Sequence, residues 1–230
     1  MQPDFAQLIA NRRWVRAYTQ ARVDRATGER ICTATRRAPS GANLQLGSFH
    51  VLTGRPLSAL TAELAHAAAE NRSVDAEYSY FPDPMPPELN ERRRKAGIAL
   101  YDAHCIARRD IVGRRAQFAR NYAFFGAPVG EVVTIRREMG NGCFMDLVMA
   151  IMNFLLAADR HGLGATGIGN LANYGRLVHR HLGLPEQEMV VCGIALDRPD
   201  RQAPVNQFRT QREPLERFTS FRGFEDEDGQ

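Results

Sequence analysis

Three arginines stand within five residues in RRWVR, residues 12 to 16. Guanidinium groups grip phosphate bidentately, so Arg12, Arg13 and Arg16 could together neutralise a phosphomonoester if the backbone turned them to one point. The bland account of the same residues is a solvated basic turn, and composition alone prefers it. A second stretch, Pro39-Ser40-Gly41-Ala42-Asn43-Leu44-Gln45, holds more turn formers and short polar side chains than a plain connection needs. It runs straight into an alternating segment, Ser48 to Thr53. A third, GLGATG at 162–167, matches GxGxxG letter for letter. That fingerprint binds pyrophosphate when a strand precedes it and a helix N-terminus follows. Here a predicted helix precedes it, so the expectation is a glycine-rich loop that lets backbone approach a flat ligand.

Other chemistries find little support. His179 and His181 lie two apart on a predicted helix, about 200° round its axis, and cannot share a metal. Cys105 follows His104, but adjacent helical side chains do not face each other, so no thiolate–imidazole pair is expected. There is no CxxC, G-x-S-x-G or Walker loop. The arginines at 92–94, 108–109 and 114–115 fall on predicted helices without interleaved aromatic platforms. They read as a solvated face rather than a nucleic-acid surface.

These groups need elements to position them. Asp4 is placed to cap a helix over Phe5 to Asn11. A strand follows at Ser48 to Thr53, then an Ala- and Leu-rich helix from Ser58 to about Glu70. FPDPMPPELN, 81–90, carries Pro82, Pro84, Pro86 and Pro87 and is expected as a surface excursion. Glu88 to about Tyr122 reads as two helices broken near Asp110. Gly126 and Pro128 end them, and Val132, Val133 and Ile135 make a strand. Asp146 is expected to cap a helix from Leu147 to His161, stopped by Gly162. That helix is apolar nearly all round, which demands burial on all sides in a core or a subunit interface. A further helix is expected from Leu171 to Leu182, ended by Gly183. MVVCGIALD, 189–197, is a central strand by its continuous apolar run.

Helices mixed with a few separated strands indicate an α+β class. The 230 residues, 44% of them hydrophobic, suit a single domain over 1–224, with an acidic tail at 225–230 read as disordered. The net charge is +4, almost all of the positive charge being arginine, since Lys95 is the only lysine. The N-terminus lacks the basic-then-apolar order of a signal peptide. The apolar run Leu147 to Ala158 is shorter than a bilayer span. Four scattered cysteines (Cys32, Cys105, Cys143, Cys192) are expected as free thiols. A cytoplasmic protein without membrane or nucleic-acid partners is the resulting expectation.

The order of the pieces carries a resemblance. RRWVRAYT, APSGANLQ before a strand, an apolar helix ending AADRHGLGAT, LGLPEQEMVVCGIAL and VNQFRTQREPLERF together resemble the nitroreductase family of FMN-dependent oxidoreductases. LYDAHCIARRD and RNYAFFGAPV are similar to its nitrobenzoate-reductase-like branch.

The resemblance implies an α+β fold around a mixed sheet, built as an intertwined homodimer with FMN sites at its interface. It implies that Arg12, Arg13, Arg16 and Arg212 hold the FMN phosphate and ribityl chain. It lays Pro39, Ser40, Gly41, Asn43 and Gln45 against the flavin, and puts Gly169 and Asn170 at its reactive edge. NAD(P)H is the implied electron donor and a nitroaromatic or quinone-like small molecule the acceptor, in a ping-pong cycle. Departures from the family pattern at Trp14, Leu46-Gly47, Val148, Gly167-Ile168 and Asp197 gather around the ring pocket, leaving the phosphate site intact. They motivate two alternatives: a dedicated oxidation or reduction of one metabolite, and flavin binding without turnover.

Overall fold

The computed structural model describes residues 4–70 and 72–224. The acidic tail expected to be disordered therefore lies outside the described residues. Four strands set the frame: β1 (Ser48–Thr53), β2 (Val129–Arg136), β3 (Gly164–Ile168) and β4 (Glu188–Asp197), in the order β1-β2-β4-β3. All three pairings are antiparallel. The α+β class holds, but the described residues of one chain do not form the mixed sheet that the resemblance implied. The connectivity explains this. Thr53 pairs with Val129, so the long helical excursion between β1 and β2 leaves and returns at one end of the sheet.

β4 is central, and Met189 to Asp197 is buried throughout. Helices cover both faces, which is why MVVCGIALD reads as a continuous apolar run rather than an alternation. On one face α3 (Gly54–Ala69) and α7 (Gly175–Leu182) contribute Leu57, Leu60, Leu64, Leu177 and Val178 to the core. On the other, α2 (Arg25–Thr35) and α6 (Asn141–Arg160) contribute Ile31, Leu147, Phe154, Leu155 and Ala158.

Several expectations change in detail. α1 (Phe5–Asn11) is capped as expected, with Asp4 accepting from Gln7 N in a full capping box. α2 has no counterpart in the sequence reading, because RATGERICTAT buries only Ile31 and Thr35 and shows almost no apolar stripe. Asp24, which accepts from Thr27 N at 2.8 Å, was its one legible signal. α3 starts at Gly54 rather than Ser58. α4 (Pro87–Ala103) and α5 (Ile111–Ala119) break as expected, with Asp110 capping α5. Residues 169–174 form a 3₁₀ turn, so α7 begins at Gly175 rather than Leu171. Gly183 closes α7 in the left-handed conformation.

GLGATG is not a loop: its second glycine opens edge strand β3, paired to β4. A pyrophosphate fingerprint is thereby ruled out, since the glycines follow α6 and enter a strand.

α6 begins at Asn141, so Asp146 lies inside the helix and does not cap it. The full 20-residue helix is about 30 Å long. By length and composition it could cross a bilayer, a property that the shorter run Leu147 to Ala158 had concealed. It nevertheless packs one face into the core. It is not buried on all sides within one chain, because Met145 and Val148 are 68% and 61% exposed.

The four cysteines are unpaired. His179 contacts Pro185 O and His181 pairs with Glu63. No group of metal-binding residues occurs among the described residues.

Candidate functional site

The arginine segment leaves α1 and runs extended along β3. Val15 N–H donates to Ala165 O at 3.4 Å, and Thr166 Oγ1 donates to Val15 O. Val15 lies so close to Gly164 that a Cβ there would stand 2.5 Å from its Cγ2. The Trp14 ring likewise covers Gly167, 3.0 Å from a Cβ position. The small residues of β3 thus admit this segment, and that is the role of two glycines in GLGATG.

Asn206 locks the segment from the far end of the chain. It sits in a 3₁₀ turn, Pro204–Asn206, and is buried. Its Oδ1 accepts from Arg16 N at 2.8 Å, and its Nδ2 donates to Ala17 O at 2.7 Å. Its own carbonyl accepts from Arg13 Nη1 at 2.9 Å. With both ends joined, Arg12, Arg13, Trp14, Arg16, Arg209 and Arg212 line one cavity of about 630 Å³. Five of its lining residues are arginines and none is acidic.

Asp159 offsets part of that charge at Arg12 and Arg13 but does not line this cavity. Burial lowers the Arg12 pKa, and the like charge of Arg212 lowers it further. Burial also lowers Arg13 and Arg16. Arg12 Nη1 is buried without a hydrogen-bond partner, and the Arg12 guanidinium lies over the Trp14 ring at 5.3 Å. Arg16 faces the Phe125 ring at 5.8 Å. Arg120 braces it, donating to Arg16 O at 3.1 Å.

Arg16 also lines a second cavity, of about 790 Å³, together with Gly167, Gly169, Asn170, Tyr80 and Phe81. One arginine therefore joins a basic compartment to a glycine-walled one. The arrangement suits a ligand with an anionic tail and a flat head.

The segment Pro39 to Gln45 does not reach either cavity in the same chain. Pro39, Ser40 and Gln45 line a separate space of about 220 Å³ beside Asp146. Gly41 N–H donates to Asp146 Oδ2 at 2.9 Å, and Gln45 N–H donates to Ser40 Oγ at 2.9 Å. The loop's left-handed residues are Ala42, Asn43 and Gln45, with φ of 50°, 56° and 51°. Gly41 is not among them, and a Cβ there would make only ordinary contact with Asp146. Conformational need instead falls on Gly47, at φ +87°, where a Cβ would also meet Leu147 Cδ1 at 2.5 Å. Asn43 and Gln45 are exposed.

The residues singled out by sequence thus fall into two groups. Arg12, Arg13, Arg16 and Arg212 come together, and Arg16 connects them to Gly169 and Asn170. Pro39, Ser40, Gly41, Asn43 and Gln45 form a distinct loop. Sequence reasoning missed Arg209, Asn206, Tyr80 and Phe81. Arg209 and Asn206 were within reach, since both stand in VNQFRTQREP beside Arg212.

The chain is similar to known proteins over nearly its whole length. A model of the nitroreductase family matches residues 9–196. A 4-nitrobenzoate reductase of Pseudomonas putida is 35% identical over 222 residues, covering 96% of this chain and 97% of the relative. A chloronitrobenzene nitroreductase of Comamonas testosteroni is 32% identical, covering 95% and 97%. Among solved structures, the FMN and NADPH-dependent nitroreductase NfnB from sphigopyxis sp. strain HMH superposes with a TM-score of 0.94 at 35% identity, covering 96% of this chain and all of that one. The FMN-dependent NfnB of Mycobacterium smegmatis, solved with NADPH, gives 0.89 at 29% identity, covering 95% and 100%.

Proposed function

The chain belongs to the nitroreductase family, and on that premise we propose that it binds FMN and reduces small nitroaromatic or quinone-like acceptors with NAD(P)H by a ping-pong cycle. The observation that carries this reading is the cavity with five arginines and no acid. Partly buried guanidinium groups gathered with no acid in the same cavity are costly, and a phosphomonoester dianion supplies countercharge with bidentate geometry. The buried Arg12 Nη1, which has no hydrogen-bond partner, would donate to a phosphate oxygen.

When bound, FMN supplies the redox chemistry between nucleotide and acceptor. The chain's own residues hold and orient. Arg12, Arg13, Arg209 and Arg212 serve the phosphate end. Arg16, common to both cavities, puts positive charge between tail and head. Gly169 and Asn170 present backbone and a short amide to the ring's edge, where preorganised donors favour developing negative charge. No side chain is assigned as an acid or base.

Pro39, Ser40, Gly41, Asn43 and Gln45 complete the site from a second copy. Two features support a homodimer. The loop's Asn43 and Gln45 are exposed and do not line the arginine cavity of their own chain. The loop is also bonded to α6, whose Met145, Val148 and Met149 form an exposed apolar stripe. Unpaired thiols fit a reducing cytoplasm for this dimer.

The test is direct. Purified protein should carry a flavin spectrum that NADPH or NADH bleaches anaerobically, and a nitroarene should restore it. A flavin-loaded protein that neither nucleotide reduces would leave a binding protein without turnover. Turnover confined to one metabolite would instead favour a dedicated step.

A further inference from the structure

Residues 75–81 cross the surface as a strap without regular structure, between the end of α3 and the proline-rich excursion. An irregular segment loses much conformational entropy when it is held in place, so its ties are informative. Asp75 N–H donates to Asn173 O at 3.0 Å. The Tyr78 hydroxyl donates to Val191 O at 2.6 Å, and its ring packs on Phe144 at 5.7 Å. Between them, Glu77 pairs with Arg137, the glutamate side chain being only 8% exposed. Arg137 is itself fixed: its N–H donates to Gln187 O at 2.8 Å and its Nε donates to Glu186 O at 2.6 Å. The other face of the Glu77 carboxylate lies near Gly175, the first residue of α7.

Beyond these ties the strap turns aromatic. Ser79 Oγ donates to Phe81 O at 2.7 Å, which sets the turn. The Tyr80 ring then lies against Gly169, where a Cβ would stand 2.8 Å from Cε2. Phe81 meets Tyr80 edge-on at 4.8 Å, with Arg93 over its ring at 6.0 Å. Both rings wall the cavity that contains Gly169 and Asn170.

We propose that the Glu77–Arg137 ion pair is a positioning element for acceptor selection, fixing the root of the strap and thereby the distance between the Tyr80 ring and the Gly169 backbone. Seated on Gly169, the Tyr80 ring is a fixed side wall of the cavity, which admits one-ring acceptors and turns away wider, two-ring ones. An almost buried carboxylate paired with a more exposed arginine at the root is suited to this, since loss of the pair removes the tie and releases the strap. The inference rests on the reductase reading.

The test compares Glu77→Gln and Arg137→Lys with the unaltered FMN-loaded protein, using 4-nitrobenzoate and 1-nitronaphthalene as acceptors. In Glu77→Gln the preference in kcat/KM for the one-ring acceptor should fall about tenfold, the lower end of what a change in pocket shape produces. FMN affinity and the rate of bleaching by NADPH should be unchanged. Arg137→Lys, which keeps the charge, should retain most of the preference. An unaltered preference in Glu77→Gln would overturn the proposal, and so would an equal loss with both acceptors and with NADPH. Hydrogen exchange of residues 75–81 gives a reading independent of turnover: it should quicken in Glu77→Gln with or without FMN, and unchanged exchange would also overturn it. If the unaltered protein is not bleached by nucleotide, the reductase reading fails, while the exchange comparison still decides whether the pair holds the strap.

Discussion

Asn206 and Arg16 are 190 residues apart, yet the Asn206 carboxamide satisfies the Arg16 N–H at 2.8 Å. Its amide nitrogen reaches Ala17 O at 2.7 Å and Asp200 O at 2.8 Å. One buried side chain therefore holds the backbone at Arg16 and Ala17, while the carbonyl of the same residue takes the Arg13 guanidinium. Asn206→Ala would leave several backbone groups unpaired, at about 1–3 kcal/mol for a buried group. The expected outcome is a lower urea midpoint together with weaker FMN binding. Unchanged FMN affinity in the folded variant would refute the locking role.

Arg212 and Arg12 repel each other across the basic cavity. Removing one should therefore steady the apo protein slightly while weakening FMN. A charge-assisted hydrogen bond contributes about 1.5–3 kcal/mol, so Arg212→Ala should raise the FMN Kd by roughly tenfold to a hundredfold. Riboflavin, which lacks the phosphate, should bind both proteins alike. Titration by flavin fluorescence distinguishes the two ligands.

Glu131 lies on β2 almost wholly buried, and burial alone pushes its pKa up from 4.5 to about 8. Its Oε2 has no partner. The folded chain thus keeps a proton that the unfolded chain releases, so stability should fall as pH rises from about 4.5 to about 8 and then level off. Over that window the slope attributable to this group approaches about 1.4 kcal/mol per pH unit. Glu131→Gln should flatten the curve, as measured by urea unfolding at several pH values. An equally steep curve in the variant would remove Glu131 as its cause.

Gly47 combines a left-handed φ of +87° with a Cβ position 2.5 Å from Leu147 Cδ1. Gly47→Ala therefore adds backbone strain to overpacking, and a loss of about 1–3 kcal/mol is expected by thermal or urea unfolding. Gly28, with nothing within 4 Å of its Cβ position and no left-handed φ, is the control. Gly28→Ala inside α2 should be neutral or stabilising.

Val148 stands 61% exposed on α6 beside the loop that carries Asn43 and Gln45. If a second copy covers it, Val148→Arg should convert the protein to monomers and lose FMN in the same step. Sedimentation and absorbance together check both. A variant that stays dimeric, or a monomer that keeps its flavin, would contradict the shared site.

The strands β1 and β4, the paired helices α4 and α5, and the left-handed stop at Gly183 were legible because each rests on local periodicity or on a glycine or capping residue. Arginine clustering at 12–16 was visible for the same reason. α2 escaped notice because its helicity is decided by two buried contacts and one cap rather than by a stripe. β3 reads as a loop in sequence because its glycines serve Val15 and Trp14, partners that no local pattern displays. Asp146 looked like a cap because an acidic residue before an apolar run is the usual signal. In the fold its carboxylate binds Gly41 from 105 residues away.

The sequence by itself determined the family, the α+β class and the identity of most phosphate-facing arginines, since these depend on residue type and order along the chain. Tertiary structure decided which of those residues share a space. It gathered Arg12, Arg16, Arg209 and Arg212, and it kept Pro39 to Gln45 apart from them. It also laid Tyr80 on Gly169. The physical reason is that convergence depends on long-range backbone hydrogen bonds and on the close approaches that glycine permits, neither of which leaves a periodic trace in one dimension.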